Sequence, residues 1–280
     1  MYQIEAQRSH HVLDIDGIDI HYLDVGTGPP LLLVHGLGHS SVSWHRNIDT
    51  LRRSHRVLAL DLPGYGHSGS PAQAPYDPPW FASIVRRFVQ ALGLHTLDAV
   101  GTSAGGLCVL LSALDAPKMF GRIVIVNPVG FTRAPSDFVG NALLGVIGLW
   151  QTFPASRSLI RAGYASAFYD PSAADEATVT ELHSRRRRPA SLRAARAAIG
   201  AFYNYSRDLA ALHARLESLS APVLVIWGKN DRMLPFKDTR VAQRVLRRAR
   251  IEWLDHCGHC PQLERPDDFN ALVLEFLNAL

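Results

Sequence analysis

Cysteine is scarce in this chain, with three among 280 residues. An odd, small number in a chain this long does not build a disulfide framework. Long apolar runs are missing as well. The nearest candidate, Phe138 to Trp150, is interrupted by Asn141 and three glycines, too short a run to span a bilayer. Met1 to His11 carries no apolar core of signal-peptide length, so the expected location is cytoplasmic. Charge bias is slight: the net charge of +4 does not point to nucleic acid. No internal repeat or low-complexity segment stands out. What remains is an ordinary globular composition, 47% apolar and 19% charged. The length suits one large domain, or one domain carrying an insertion.

The most informative stretch runs from Leu97 to Leu107. A short apolar run reads as a buried strand, and an apolar helix continues from Cys108 to Leu114. Between them lies Gly101-Thr102-Ser103-Ala104-Gly105-Gly106. A serine at the tip of a sharp strand-to-helix turn takes a strained backbone conformation. Its neighbours two residues before and after must then have almost no side chain. The turn lifts the serine oxygen out of the sheet, and the helix begins with its free N–H groups at the same spot.

Around this turn the chain alternates strands and helices. His11 to Val25 alternates apolar and polar residues about Asp16-Gly17, a hairpin signal. Leu31 to Val34 is a continuous apolar run, the mark of a strand covered on both faces. His35-Gly36-Leu37-Gly38 ends it, and Ser40 to Trp44 opens a helix to about Arg53. The next strand, Arg56 to Leu60, runs into the turn-rich loop Asp61 to Ser68. Pro79 to Leu92 reads as a helix and Arg122 to Asn127 as a further buried strand. After Val129-Gly130 the rhythm breaks: residues 131–219 read as helical with no clear buried strand. It resumes with the strand Ala221 to Gly228, a helix from about Phe236 to Arg247, the strand Arg250 to Leu254 and a last helix to Leu280. The expected fold is a mostly parallel, doubly wound α/β sheet with an inserted helical cap. Its core comprises residues 1–130 and 220–280, and the cap residues 131–219.

A serine hydroxyl needs a base to take its proton, and that base needs a carboxylate to orient it. Thirteen histidines make a lone histidine uninformative. Position narrows the choice, because ligands of open parallel sheets bind beyond the carboxyl ends of the strands. Two polar loops sit there: Trp227-Gly228-Lys229-Asn230-Asp231, and Asp255-His256-Cys257-Gly258-His259-Cys260-Pro261. The order Ser103, Asp231, His259 is the chain order of nucleophile-elbow hydrolases.

Five segments together, from His35-Gly36-Leu37-Gly38 through Asp61 to Ser68, the elbow, Gly228 to Asp231 and Gly258 to Pro266, resemble the motifs of the α/β-hydrolase superfamily in its order. The resemblance covers nearly the whole chain and implies a capped, serine-nucleophile, carboxylesterase-like member. It implies Ser103 as nucleophile, His259 as general base and then acid, and Asp231 as orienting carboxylate. The implied oxyanion hole uses the backbone N–H groups of Leu37 and Ala104. Relatives with an aspartate nucleophile, the haloalkane dehalogenases and epoxide hydrolases, are set apart by Ser103. Some members take the acid from the preceding strand end; Asn127 stands near that position, and its neutral side chain favours Asp231.

Other polar residues have plainer readings. His256 is a rival base, but Gly258 and Pro261 frame His259 as the motif match. Asp61 and His67 read as structural, His35 as shaping the oxyanion loop, and Trp44 as packing. Cys257-Gly258-His259-Cys260 also resembles a disulfide-isomerase site, yet redox chemistry needs a thioredoxin-like domain around it. A zinc site lacks a second ligand pair, and Cys108 reads as core. In the cap, eleven arginines face seven acidic residues. Arg185 to Arg188 read either as a solvated helix end or as an attractor for an anionic substrate or surface. The stripe Phe138, Leu143, Leu144, Val146, Ile147, Leu149, Trp150 and Phe153 either lines a pocket entrance or packs cap on core. Phe168, Tyr169, Phe202, Tyr203 and Tyr205 hint at an apolar or aromatic substrate.

The expected activity is hydrolysis of a carboxylic ester through an acyl-serine, on a small molecule, with no metal or organic cofactor. The alternatives are carbon–carbon hydrolysis of ring-cleavage products, lactone opening, cofactor-free perhydrolysis or oxygenation, and a ligand receptor on the same fold.

Overall fold

The structure, a computed structural model, describes residues 9–131 and 154–279. The apolar runs form eight strands: β1 (His10–Ile15), β2 (Ile18–Val25), β3 (Pro30–Val34), β4 (Arg56–Leu60), β5 (Leu97–Thr102), β6 (Phe120–Val126), β7 (Val223–Gly228) and β8 (Arg250–Leu254). They make one sheet in the order β1-β2-β4-β3-β5-β6-β7-β8. β1 and β2 pair antiparallel with their neighbours, and β4 through β8 pair parallel. The first two strands are the expected hairpin, turned at Asp16 and Gly17, both with positive φ.

Alternate residues of the central strands face opposite sides, and both sides are covered. On one side Leu32, Val34, Leu58, Ile123 and Ile125 pack with α2 (Pro78–Ala91) and α3 (Ala104–Asp115). On the other, Leu31, Leu33, Val57, Val124 and Ile226 pack with Trp44, Phe269 and Val273. This double coverage is why those strands read as unbroken apolar runs. β4 lies on one side of β3 and β5 on the other, so the strand order reverses at β3. The carboxyl ends of β3 and β5 thus form the crevice where open sheets bind ligands.

Three expected helices are broken. Ser40 to Arg53 is a 3-10 turn (Ser41–Trp44) followed by one short helix, α1 (Ile48–Leu51). The segment after β7 splits into a 3-10 turn (Phe236–Asp238) and α8 (Thr239–Val245). The last segment splits into α9 (Pro261–Glu264) and α10 (Pro266–Asn278), because Pro266 supplies no N–H to continue the first turn. Between β6 and β7 lie α4 (Arg157–Ala165), α5 (Glu176–Arg186), α6 (Pro189–Tyr205) and α7 (Ala210–Leu216), the helical cap. The stripe from Phe138 to Phe153 lies outside the described residues. None of the described helices is long and apolar enough to cross a membrane.

Asp61, at the end of β4, organises the edge of this crevice. Its carboxylate accepts from Ser41 N at 2.6 Å, His67 N at 2.9 Å and His21 Nδ1 at 2.7 Å. Burial alone would raise this carboxyl, but the His21 hydrogen bond and the charges of His35 and His21 outweigh it and hold the pKa at about 2. A depressed folded-state pKa stabilises above the unfolded carboxylate range, and that stability is lost as pH falls through the folded value. Asp61→Asn should therefore lose about 2 kcal/mol at pH 7, measured by urea unfolding, and the deficit should close between roughly pH 4 and pH 2. A deficit unchanged across that window would mean that shape, and not charge, holds the loop.

Candidate active site

Ser103 joins β5 to α3 with φ 53° and ψ −120°, a conformation that L-residues avoid unless their surroundings impose it. Its N–H donates to Val126 O at 2.8 Å, and its carbonyl accepts from Gly106 N at 3.1 Å and Val129 N at 3.2 Å. A Cβ on Gly101 would stand 2.6 Å from Gly105 O, and one on Gly105 would strike the carbonyls of Val34 and His35. The small residues are therefore steric requirements of the turn. Ser103 occupies the N-cap of α3, yet its side chain makes no capping bond. The loop after β3 closes against it: a Cβ on Gly36 would lie 3.0 Å from Ser103 Cβ.

The loops after β7 and β8 meet. His259 Nδ1 donates to Asp231 Oδ2 at 2.7 Å, and both residues are buried. Asp231 Oδ1 accepts from Met233 N at 2.7 Å and Leu234 N at 3.0 Å. Burial pushes the His259 imidazole down, but the Asp231 charge and hydrogen bond, with a contribution from Glu264, outweigh burial and raise its pKa. His256 points elsewhere, with Nδ1 3.2 Å from Tyr169 Oη.

Asn127, read from sequence only as the absence of an acid, has an active part here. Its Nδ2 donates to Asp231 Oδ2 at 2.5 Å and to Gly258 O at 3.1 Å, while its Oδ1 accepts from Gly228 N at 3.0 Å. One amide thereby ties together the ends of β6 and β7 and the loop after β8. Val129, two residues on, donates to Ser103 O, so the same segment reaches the elbow. The only signal in the sequence was position, directly after a buried strand.

His35 is satisfied on both nitrogens, donating from Nδ1 to Gly36 O at 2.8 Å and accepting at Nε2 from Leu62 N at 3.0 Å. This fixes its tautomer and the loop that carries Leu37. His39, further along, is held neutral chiefly by burial, with the cationic forms of His35 and His259 and the Arg186 charge disfavouring its own protonation; its pKa falls to about 3.

A cleft opens beside this loop, between core and cap. Gly38, His39 and Tyr65 line its core side, and Glu181, Arg185 and Arg186 its cap side. This corrects the solvated-end reading of Arg185 to Arg188 for half the run. Arg186 is 7% exposed, and burial lowers its pKa to about 10. Arg187 and Arg188 remain exposed. Glu181 is engaged by Ser40 Oγ at 2.9 and 3.1 Å and lies 3.5 Å from Arg185 Nε. Arg185 Nε and Nη1 are buried without a hydrogen-bond partner among the described residues.

Two of the five cap aromatics are packed inside. Phe168 packs on Tyr164 and Phe202 on Phe81, both buried in hydrophobic clusters. Cys257 and Cys260 are buried free thiols, and burial pushes both thiol pKa values up. No group of three or more metal-ligating side chains gathers among the described residues.

The Alpha/beta hydrolase family matches residues 31–272. The chain is 28% identical to the dihydrolipoyllysine-residue acetyltransferase component of the acetoin cleaving system of Cupriavidus necator, over 98% of this chain and 70% of the relative. It is 30% identical to a 2-hydroxy-6-oxononadienedioate/2-hydroxy-6-oxononatrienedioate hydrolase of Burkholderia vietnamiensis, over 92% and 90% of the two chains. Among solved structures it resembles a bacterial membrane phospholipase A, with TM-score 0.82 and 27% identity over 99% of this chain and 91% of the other. With a serine at the elbow and helices inserted between β6 and β7, the chain belongs to the alpha/beta hydrolase family.

Proposed function

We propose that this protein hydrolyses a carbon–carbon bond in an anionic 2-hydroxy-6-oxo-dienoate, the substrate type named for its relative from Burkholderia vietnamiensis. The observation that carries this reading is the turning of Arg185 and Arg186 into the cleft beside the oxyanion loop. Arg185 Nη1, buried with no hydrogen-bond partner among the described residues, favours a ligand that brings carboxylate oxygens.

In this mechanism Ser103 Oγ attacks the 6-oxo carbon of the keto tautomer, and its proton passes to His259 Nε2. Asp231, bonded at Nδ1, holds the ring in the tautomer that leaves Nε2 free to accept. The N–H groups of Leu37 and Ala104 take the developing oxyanion, each donor worth about 3 kcal/mol of barrier. The bond between C5 and C6 then breaks. Its electron pair delocalises into the conjugated oxo acid, and C5 takes the proton from His259. Water attacks the acyl-Ser103 with His259 again as base, releasing a carboxylic acid and regenerating the serine.

Ester hydrolysis is the second reading. It needs the same groups and is supported by the similarity to a phospholipase A. The two separate in one assay: loss of dienoate absorbance with 2-hydroxy-6-oxononadienedioate, against p-nitrophenolate release from p-nitrophenyl esters. Turnover of the dienedioate with kcat/KM well above that of any ester, abolished in Ser103→Ala, is the expected result. The reverse preference replaces the carbon–carbon reading with the ester one.

Arg185→Gln should raise KM for the dienedioate by roughly 10- to 100-fold, the worth of a lost charge-assisted hydrogen bond. An unchanged KM removes Arg185 from substrate recognition. Because a general base works when neutral, the raised His259 pKa places the acidic limb of kcat/KM above that of an ordinary histidine. Asp231→Asn leaves burial opposed only by Glu264, so the limb should move to lower pH while kcat falls by about 10⁴. A limb that stays in place would show that another group titrates.

A further inference from the structure

The residues flanking His259 are held by a carboxylate outside the triad. Glu264 Oε1 accepts from Gly258 N at 3.0 Å and from Cys260 N at 3.1 Å. Its Oε2 accepts from Gly258 N at 2.9 Å and from Tyr169 N at 2.7 Å. Between them, His259 N donates to Ala167 O at 2.8 Å. Three consecutive N–H groups, 258 to 260, are thus fixed, two by Glu264 and one by the cap. The packing is equally tight: a Cβ on Gly258 would lie 2.5 Å from Ala167 O and 2.7 Å from Tyr169 N. The loop of the base and cap residues 167–169 are one hydrogen-bonded unit, with Glu264 as its hub.

We propose that Glu264 is a positioning residue for His259, fixing the base loop in register with Asp231 and tying it to the cap. The inference rests on the reading of His259 as the base for Ser103. Side-chain amides or hydroxyls would not do the same work. Three N–H donors from two segments converge on one group, and an ionised carboxylate offers two oxygens with enough acceptor capacity for all of them. The carboxylate also acts on the base through space. The charges facing His259 are Asp231 and Glu264, while His39 is neutral and Cys257 and Cys260 are thiols. Glu264 therefore helps keep the imidazolium favourable, in addition to holding its backbone.

A fluorophosphonate probe tests this without knowledge of the substrate. Ser103 Oγ displaces fluoride at phosphorus, and its proton passes to His259, so the second-order labelling rate reports the base. The rate is measured from pH 5 to 9 for the parent protein, Ser103→Ala, Glu264→Gln and Glu264→Asp, with thermal melts alongside. The parent is expected to label and Ser103→Ala not to. Glu264→Gln should label roughly tenfold or more slowly at the plateau, with its acidic limb shifted to lower pH. Glu264→Asp keeps the charge with a shorter reach. It should slow labelling while retaining the parent's limb, which separates positioning from charge even if Glu264→Gln folds poorly. A merely structural role would lower the melting temperature without moving the limb. Glu264→Gln and Glu264→Asp with the parent's rate and limb would overturn the Glu264 inference alone. A parent protein that fails to label would overturn the reading of Ser103 and His259 and this inference with it.

Discussion

A serine with φ 53° is the constraint on which the rest of the site depends. Such a backbone conformation costs on the order of 1–3 kcal/mol and persists only where the surroundings enforce it. Here the enforcement comes from both neighbouring strands. Val126 at the end of β6 takes the Ser103 N–H, and the β3 end packs so closely that Gly105 has no room for a side chain. The parallel register of β3, β5 and β6 is therefore what raises the hydroxyl above the sheet. The strand-order reversal at β3 supplies the open space in front of it.

The histidines show how environment, not residue type, sets a pKa. His35, His39 and His67 all have pKa values driven down, with burial as the largest cause in each case. His259 is buried like His35, yet its pKa rises because Asp231 faces it and Asn127 fixes that carboxylate from the other side. His21 has a carboxylate partner of its own in Asp61, at the same 2.7 Å. That pair, however, sits on β2, one strand in from the edge, where it anchors the loop after β4. The same chemical pairing serves two tasks, one holding a loop and the other, on the proposed reading, orienting a base, and position in the sheet decides which.

What could be read from sequence follows from the range of the interactions involved. Buried strands and the elbow announce themselves because their requirements are local: unbroken apolar runs for strands covered on both faces, and missing side chains where backbones touch. Ser103, Asp231 and His259 were legible through loops placed after strands, although the bond between the last two spans 28 positions. Asn127 was harder, since its partners Asp231, Gly228 and Gly258 are distant in the chain. Glu264, although inside the Gly258 to Pro266 segment, gave no sign of its link to Tyr169, 95 positions away. Arg185 and Arg186 were unreadable for another reason. A run of four arginines on a helix end has no periodicity to show which pair turns inward, and only the packing of α5 against the core settles it. The breaks in the helices after β3 and β7 are similar: short segments wedged between strand ends obey the loop geometry more than their own propensity.

The cap is joined to the core at two kinds of contact, and the difference bears on how the site works. At the base, Ala167 and Tyr169 are hydrogen-bonded into the loop of His259 and to Glu264, all backbone groups or a carboxylate with its acceptors filled. At the cleft, Glu181 accepts from Ser40 and lies 3.5 Å from Arg185 Nε, while Arg185 Nη1 has no hydrogen-bond partner among the described residues. A buried donor without an acceptor carries a penalty of roughly 1–3 kcal/mol, which a bound carboxylate would remove. The loop of His259 is thus held by filled hydrogen bonds, while the unmatched donor faces the cleft. On the proposed reading, binding energy from a remote carboxylate positions the reacting carbonyl over Ser103.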